Sequence, residues 1–342
     1  MKKLGCILLA VVCALSCFAG CQTTPPVEEE PITYNSVCAN ITSGGGQFAF
    51  RDDFIYFSDV FNIYEYDLTT GKTVVLHTSW NSPLSMYVME DQVYYANDGL
   101  HYVTRDGKET DTVFFCNESY MYLYADGNTV YYRTTVRHPE TKMPLDYLVK
   151  RDLETGEETP LVGSLWYDSY SVDSKYIYAL INEKTLPDAD PDQNRVVRSE
   201  KGNIHFEEIP MDIHPTCIYP SANGLYMNKG AKLYRWKDGV LTDMNMPTGE
   251  FHIWGDYQIT NLRNGVSGSS LELCMYHLET GEKTVISDSS YLYAVLNDRY
   301  VCYWKVVSDV HHQWYYYDLQ TGETKLMYEI EDSKSMYNYT VS

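Results

Sequence analysis

Among the residues able to do chemistry, one acidic run stands out: Asp188-Ala189-Asp190-Pro191-Asp192-Gln193-Asn194. Side-chain oxygens at alternate positions suit a hard cation such as Ca2+. The run departs from a helix–loop–helix Ca2+ site. Gln193 stands sixth, where glycine makes the turn, and Ser199 stands twelfth, where a bidentate glutamate belongs. Pro191 stiffens the middle. A solvated acidic loop is the simpler reading; if a cation binds, Asp188, Asp190, Asp192 and Asn194 are its ligands, and no other cofactor is implied. A second constellation is His311-His312 beside Asp309. Neighbouring side chains of an extended chain point to opposite sides, so one metal ion cannot easily take both. Exposed loop histidines are the expectation here. A third set is Trp80, Trp166 and Trp304, with Asn81 and Asp168 close in sequence. Indoles beside acids or amides stack on sugars, but the same rings also serve as wedges in a core.

Signatures of catalysis are missing from the sequence: there is no GxSxG, no HExxH, no GxxxxGK[ST] and no sialidase-type Asp box. A carboxylate pair for glycoside cleavage could be drawn from any of 47 acidic residues, and spacing does not choose one. The balance favours binding over chemistry.

The elements that must position these residues are set by a repeat. Seven short turns ending in glycine recur: Tyr66–Gly71, Thr104–Gly107, Arg151–Gly156, Ser199–Gly202, Trp236–Gly239, His277–Gly281 and Asp318–Gly322. The glycines are 36, 49, 46, 37, 42 and 41 residues apart, which matches one four-stranded propeller blade of roughly 40–45 residues. Aspartate accepts backbone N–H groups of the reversing chain, and glycine takes the left-handed conformation that a short hairpin needs. Between turns the chain alternates aromatic and β-branched residues, as in Phe54-Ile55-Tyr56-Phe57 and Asn62-Ile63-Tyr64-Glu65-Tyr66. With 33 tyrosines and no sustained helical period, the fold is expected to be all-β. A seven-bladed β-propeller is predicted over residues 33–342. Ser199–Gly202 is the weakest turn, which makes six blades the runner-up, and eight the third choice. Tyr34–Ile41 or Met336–Val341 is expected to supply a strand that seals the ring.

The units Ile55-Tyr56-Phe57-Ser58-Asp59, Ile63-Tyr64-Glu65-Tyr66-Asp67-Leu68-Thr69-Thr70-Gly71 and Val93-Tyr94-Tyr95-Ala96-Asn97-Asp98 resemble the YWTD-type (LDL-receptor-like) and TolB-like β-propellers. The resemblance covers about residues 45–330. It implies ligands on the face opposite the glycine-closed turns, and it speaks to fold more than to function.

The chain opens with a leader. Met1-Lys2-Lys3 is basic, Leu4 to Phe18 is apolar, and Phe18-Ala19-Gly20-Cys21 resembles a bacterial lipobox. Residues 1–20 are expected to be a lipoprotein signal peptide, with Cys21 lipidated. Residues 21–32, rich in proline and glutamate, form an unfolded tether. The expected location is the cell membrane, on its extracytoplasmic side. The chain's net charge of −21 argues against nucleic acid as a partner. Five cysteines follow the leader (Cys38, Cys116, Cys217, Cys274, Cys302) without a framework spacing, and read as small buried hydrophobes. The sum is a lipid-anchored, monomeric, non-catalytic binding module for a protein, peptide or glycan. The alternatives are a carbohydrate-active enzyme with a carboxylate pair in a central funnel, and a scaffold of an envelope complex.

Overall fold

The computed structural model describes residues 47–331, apart from 60, 80–82, 97, 116–122, 138–143, 183–189, 248, 250, 265–269, 291, 297–298 and 309–310. Cys21 and both expected closing segments, Tyr34–Ile41 and Met336–Val341, lie outside the described residues.

Seven four-stranded antiparallel sheets follow one another along the chain as the blades of a β-propeller. Blade 1 spans Phe48–Thr78, blade 2 Leu84–Phe115, blade 3 Leu123–Gly163 and blade 4 Leu165–Glu208. Blade 5 spans Cys217–Pro247, blade 6 Phe251–Ser290 and blade 7 Leu292–Ile330. Each sheet is made of four strands in chain order, and no described strand is exchanged between blades. Among the described residues, helix is confined to one 3-10 turn, Pro191–Gln193.

Period-two alternation explains the ring. In blade 1, Ile55, Phe57, Tyr64 and Tyr66 face one way, and pack with Cys302, Trp314, Tyr316 and Met327 of blade 7. Tyr56 and Ile63 face the other way, onto Met86, Val93, Tyr95 and Val103 of blade 2. Each sheet therefore has two apolar faces, and only a stack closed on itself buries both. A fully buried side chain of this size contributes about 1.5–3 kcal/mol, so the seams hold the molecule together.

The repeated turns carry the anticipated chemistry. Asp67 Oδ1 accepts the N–H groups of Thr69 (2.7 Å) and Thr70 (3.2 Å). Asp152 does the same for Glu154 and Thr155, and Asp318 for Gln320 and Thr321. Gly71, at φ +68°, donates to the Asp67 carbonyl at 2.8 Å. Thr69 and Thr70 hold the Asp67 carboxyl down at about 2. Blade 5 differs: Asp238 and Gly239, both at positive φ, form a two-residue reversal between Lys237 and Val240.

The weak turn at Ser199–Gly202 does close a blade. Chain beyond it runs irregularly to Asn203–Phe206, so the outer strand of blade 4 shrinks to Glu207–Glu208. A two-residue strand leaves almost no pattern to read, which is why six blades looked possible from sequence. Cys274 and Cys302 are buried, Cys217 is half-buried, and none of the three is in a disulfide.

Candidate functional site

In a sheet of four consecutive antiparallel strands, the first and third turns fall on one face of the disc. The second turns and the links between blades fall on the other. The aspartate–glycine reversals thus occupy a turn face, and the insertions occupy a loop face. On the loop face, the seam between blades 7 and 1 brings together two of the residues that the sequence singled out, Trp304 and His312, with aromatic and polar groups of both blades.

Strand pairing in blade 7 builds this site. Trp304 on the second strand (Tyr300–Ser308) lies opposite Trp314 on the third (His311–Asp318). The two indoles stack with centroids 5.8 Å apart and planes 4° apart. Trp304 also stacks on His312 (5.3 Å), and its Nε1–H donates to His312 Nδ1 at 3.1 Å. That bond assigns the His312 proton to Nε2. Trp314 is fully buried, Trp304 only partly. Tyr328 on the outer strand joins them, 6.0 Å from Trp314 and 4.5 Å from Tyr64 of blade 1.

Blade 1 contributes a polar corner. Asp59 is buried and accepts from the Tyr64 hydroxyl (2.7 Å), the Asn62 amide (3.1 Å) and the backbone N–H groups of Phe61 and Asn62. Four donors on one carboxylate make it a fixed anion that orients the second turn of the blade. Burial, then the Asp59 charge, push the Tyr64 hydroxyl far above its ordinary range, so it stays a donor.

His311 and His312 diverge, as alternation requires. His312 points to blade 1 and Trp304, whereas His311 pairs with Glu329 on the other side of the sheet. Gln313 also donates to Glu329 at 2.8 Å, and it receives the Tyr315 hydroxyl at 2.7 Å. Gln313 and then His311 hold the Glu329 carboxyl below the usual range. The expectation of exposed loop histidines is corrected here. Pairing of Ser308 with His311 carries the hairpin almost to its tip, so both residues are in a strand and His312 is buried.

The other sequence candidates are scattered. Trp80, Asn81 and Asp188 lie outside the described residues. Trp166 is in the inner strand of blade 4 (Leu165–Val172), not a loop, and packs in the apolar cluster between blades 4 and 5. Asp168 is on the same strand. Asp190 caps the 3-10 turn by accepting from Asp192 N–H at 3.0 Å, and Asp192 is ion-paired with Lys229. Asn194 is buried, donating to the Pro215 carbonyl and accepting from Asn182, both within 2.8 Å. These three groups therefore already have protein partners. Among the described residues, no group of three or more His, Cys, Asp or Glu is arranged to hold a metal ion.

Asp59, Tyr64, Tyr328 and Glu329 escaped the sequence reading as site residues. Asp59 had a signal, since it closes the Ile55–Asp59 repeat unit, but nothing local marks Tyr328. Among the described carboxyls, only Asp173 is displaced upward, by burial. It caps a turn of blade 4 on the opposite face, accepting from Lys175 and Tyr176 N–H. The seam thus presents stacked rings and oriented hydrogen-bonding groups.

No protein-family model matches this chain, and no curated protein matches it. Solved structures do. A puromycin-hydrolyzing peptidase from Mycobacterium tuberculosis superposes with a TM-score of 0.58 at 11% identity, over 92% of this chain and 57% of that one. A prolyl endopeptidase gives 0.59 at 15% identity, over 86% and 51%. The chain spans about half the length of these peptidases. The oligogalacturonate lyase from Vibrio parahaemolyticus gives 0.56 at 14% identity, over 85% of this chain and 91% of that one. At such identities the likeness shows the propeller fold.

Proposed function

We propose that this propeller is a monomeric, lipid-anchored binding module on the extracytoplasmic side of the membrane, and that its loop face takes a glycan, peptide or protein. One observation carries the reading. Trp304 is partly exposed at the blade 7–blade 1 seam, with its N–H committed to His312 and its ring braced on Trp314. A braced, partly exposed indole offers a flat apolar surface at little entropic cost, which suits stacking on a pyranose or an aromatic side chain.

The test is a screen of glycans and envelope proteins against the chain from Thr33, which forms one compact unit. A hit should weaken roughly tenfold in Trp304→Ala and recover in Trp304→Phe. If both variants bind as the native chain does, this seam is not the site. The oligogalacturonate lyase likeness gives the enzyme reading its support. Turnover of oligogalacturonates or glycosides, without binding of any screened partner, would favour it.

The anchor has its own test. Two acyl chains on Cys21 would hold the domain stably at a bilayer. Cys21→Ala should move the protein from the membrane fraction to the soluble fraction. A variant that stays with the membrane would rule out a lipid on this cysteine as the attachment.

A further inference from the structure

The loop face carries a second aromatic station, at the seam between blades 1 and 2. Phe115 ends the outer strand of blade 2 (Thr110–Phe115) and is 75% exposed, the most exposed large apolar side chain among the described residues. Gly99 sets its place. The two residues pair across blade 2, and a Cβ on Gly99 would lie 2.9 Å from the Phe115 Cα, so the strands close up only around glycine. His101 meets the Phe115 ring edge-on, with centroids 6.2 Å apart. His101 is itself fixed: Nε2 is 3.0 Å from Asp98 Oδ1, Nδ1 is 2.9 Å from Thr112 Oγ1, and the ring stacks on buried Tyr95 at 5.4 Å. Tyr95 in turn meets the His77 ring of blade 1 at 6.0 Å, which ties the station across the seam. The plan is that of Trp304, a ring surface open to ligand and braced from behind by bonded rings. The Asp98 side chain is 53% exposed beside it. A carboxylate has about four acceptor positions, more than His101 occupies.

We propose that Phe115, His101 and Asp98 form a second sugar subsite, and that the loop face takes a neutral oligosaccharide laid across blade 1 from Trp304 to Phe115. The inference rests on the reading of Trp304 as a stacking surface and names the class of its ligand. Trp304 belongs to blade 7 and Phe115 to blade 2, with blade 1 between them. Packed sheets lie about 10 Å apart, so no single pyranose touches both rings, whereas a chain of several does. The edge that such a chain crosses is polar: Thr78 Oγ1 donates to Asn62 Oδ1 at 2.9 Å where the second and last turns of blade 1 meet. Sugar rings bring an apolar face for Phe115 and hydroxyls for Asp98. The charge argues for a neutral glycan. Each station holds a carboxylate, Asp98 at one and Asp59 at the other, within a chain of net charge −21. A uronic acid would set its own carboxylate against them.

Calorimetric titration of the full chain tests it, with cellohexaose, maltohexaose and chitohexaose, the disaccharide of each, and hexagalacturonate. One neutral hexaose should bind about tenfold tighter than its disaccharide, and tighter than hexagalacturonate. Phe115→Ala should remove that gain from chain length and leave the disaccharide affinity unchanged, while Phe115→Tyr keeps the gain. Trp304→Ala should weaken both lengths. Because Phe115 is so exposed, Phe115→Ala should melt with the native chain, which separates lost binding from lost folding. Hexaose binding that needs Trp304 but is unchanged in Phe115→Ala would overturn the second subsite and leave the Trp304 seam standing. Hexagalacturonate bound as tightly as the neutral chains would overturn the ligand class. A Trp304-dependent peptide or protein partner, with no sugar bound, would overturn this inference alone. Sugar binding indifferent to both rings would overturn it together with the reading on which it rests.

Discussion

Trp314→Ala should destabilise the propeller by about 3–5 kcal/mol, lower its melting temperature by on the order of 10 °C, and open the ring at one place. Trp314 is 1% exposed and touches Phe57 of blade 1 at a centroid distance of 6.0 Å, with Trp304 and Tyr328 of its own blade close behind. Removing the indole leaves a cavity that neighbouring rings, held by two different blades, cannot refill. The position matters as much as the volume. The other six seams are crossed by the chain itself, whereas the described residues close blade 7 onto blade 1 by side-chain packing and by Thr73 Oγ1 donating to the Met327 carbonyl at 2.5 Å. Hydrogen exchange should therefore rise first in the facing strands of blades 1 and 7. Phe251→Ala, in the cluster between blades 5 and 6, provides the comparison, because the chain runs through that seam. If Trp314→Ala melts above Phe251→Ala, or loses protection evenly around the disc, packing at this seam does not limit ring closure.

The second large effect is expected from one methyl group. A Cβ on Gly99 would lie 2.2 Å from the Phe114 carbonyl oxygen and 2.9 Å from the Phe115 Cα. Both contacts are backbone, so no rotamer change relieves them, and the outer strand of blade 2 would have to move off its partner. Gly99→Ala should therefore cost about 2–4 kcal/mol, seen as a lower urea midpoint at unchanged slope. Gly127→Ala serves as control. Its φ of +54° makes alanine unfavourable, but nothing lies within 4 Å of the added carbon, so the penalty should stay near 1–2 kcal/mol. A Gly99→Ala midpoint equal to that of the control would mean that the strand yields more readily than the close approach implies.

Gly99 also marks where sequence reading stops. It reads as an ordinary glycine after Asn97-Asp98, and only the approach of Phe114 shows why a side chain is excluded. The turn glycines are the opposite case. Asp67 and Gly71 are four residues apart, and the bonds that they make run between residues two to four apart. Such contacts leave their mark directly in the spacing of residue types. The same holds for the faces of each strand, since Ile55 and Tyr56 must diverge wherever the blade lies. Even the histidine pair obeyed that rule, although its place in a strand and not a loop depended on how far a hairpin stays paired.

The chain alone determined the all-β class, the seven glycine-closed units and the two apolar faces of each sheet, because turn chemistry and two-residue alternation act between near neighbours. The tertiary structure decided that Trp166 packs between blades and that Trp304 rests on Trp314 at a seam rich in hydrogen-bonding groups. It also decided that the described blades meet around the ring through pairs such as Phe57–Trp314 and Thr73–Met327. Those partners are separated by some 250 residues of chain, and only the sum of seven blade rotations brings them together, a quantity that no local spacing encodes.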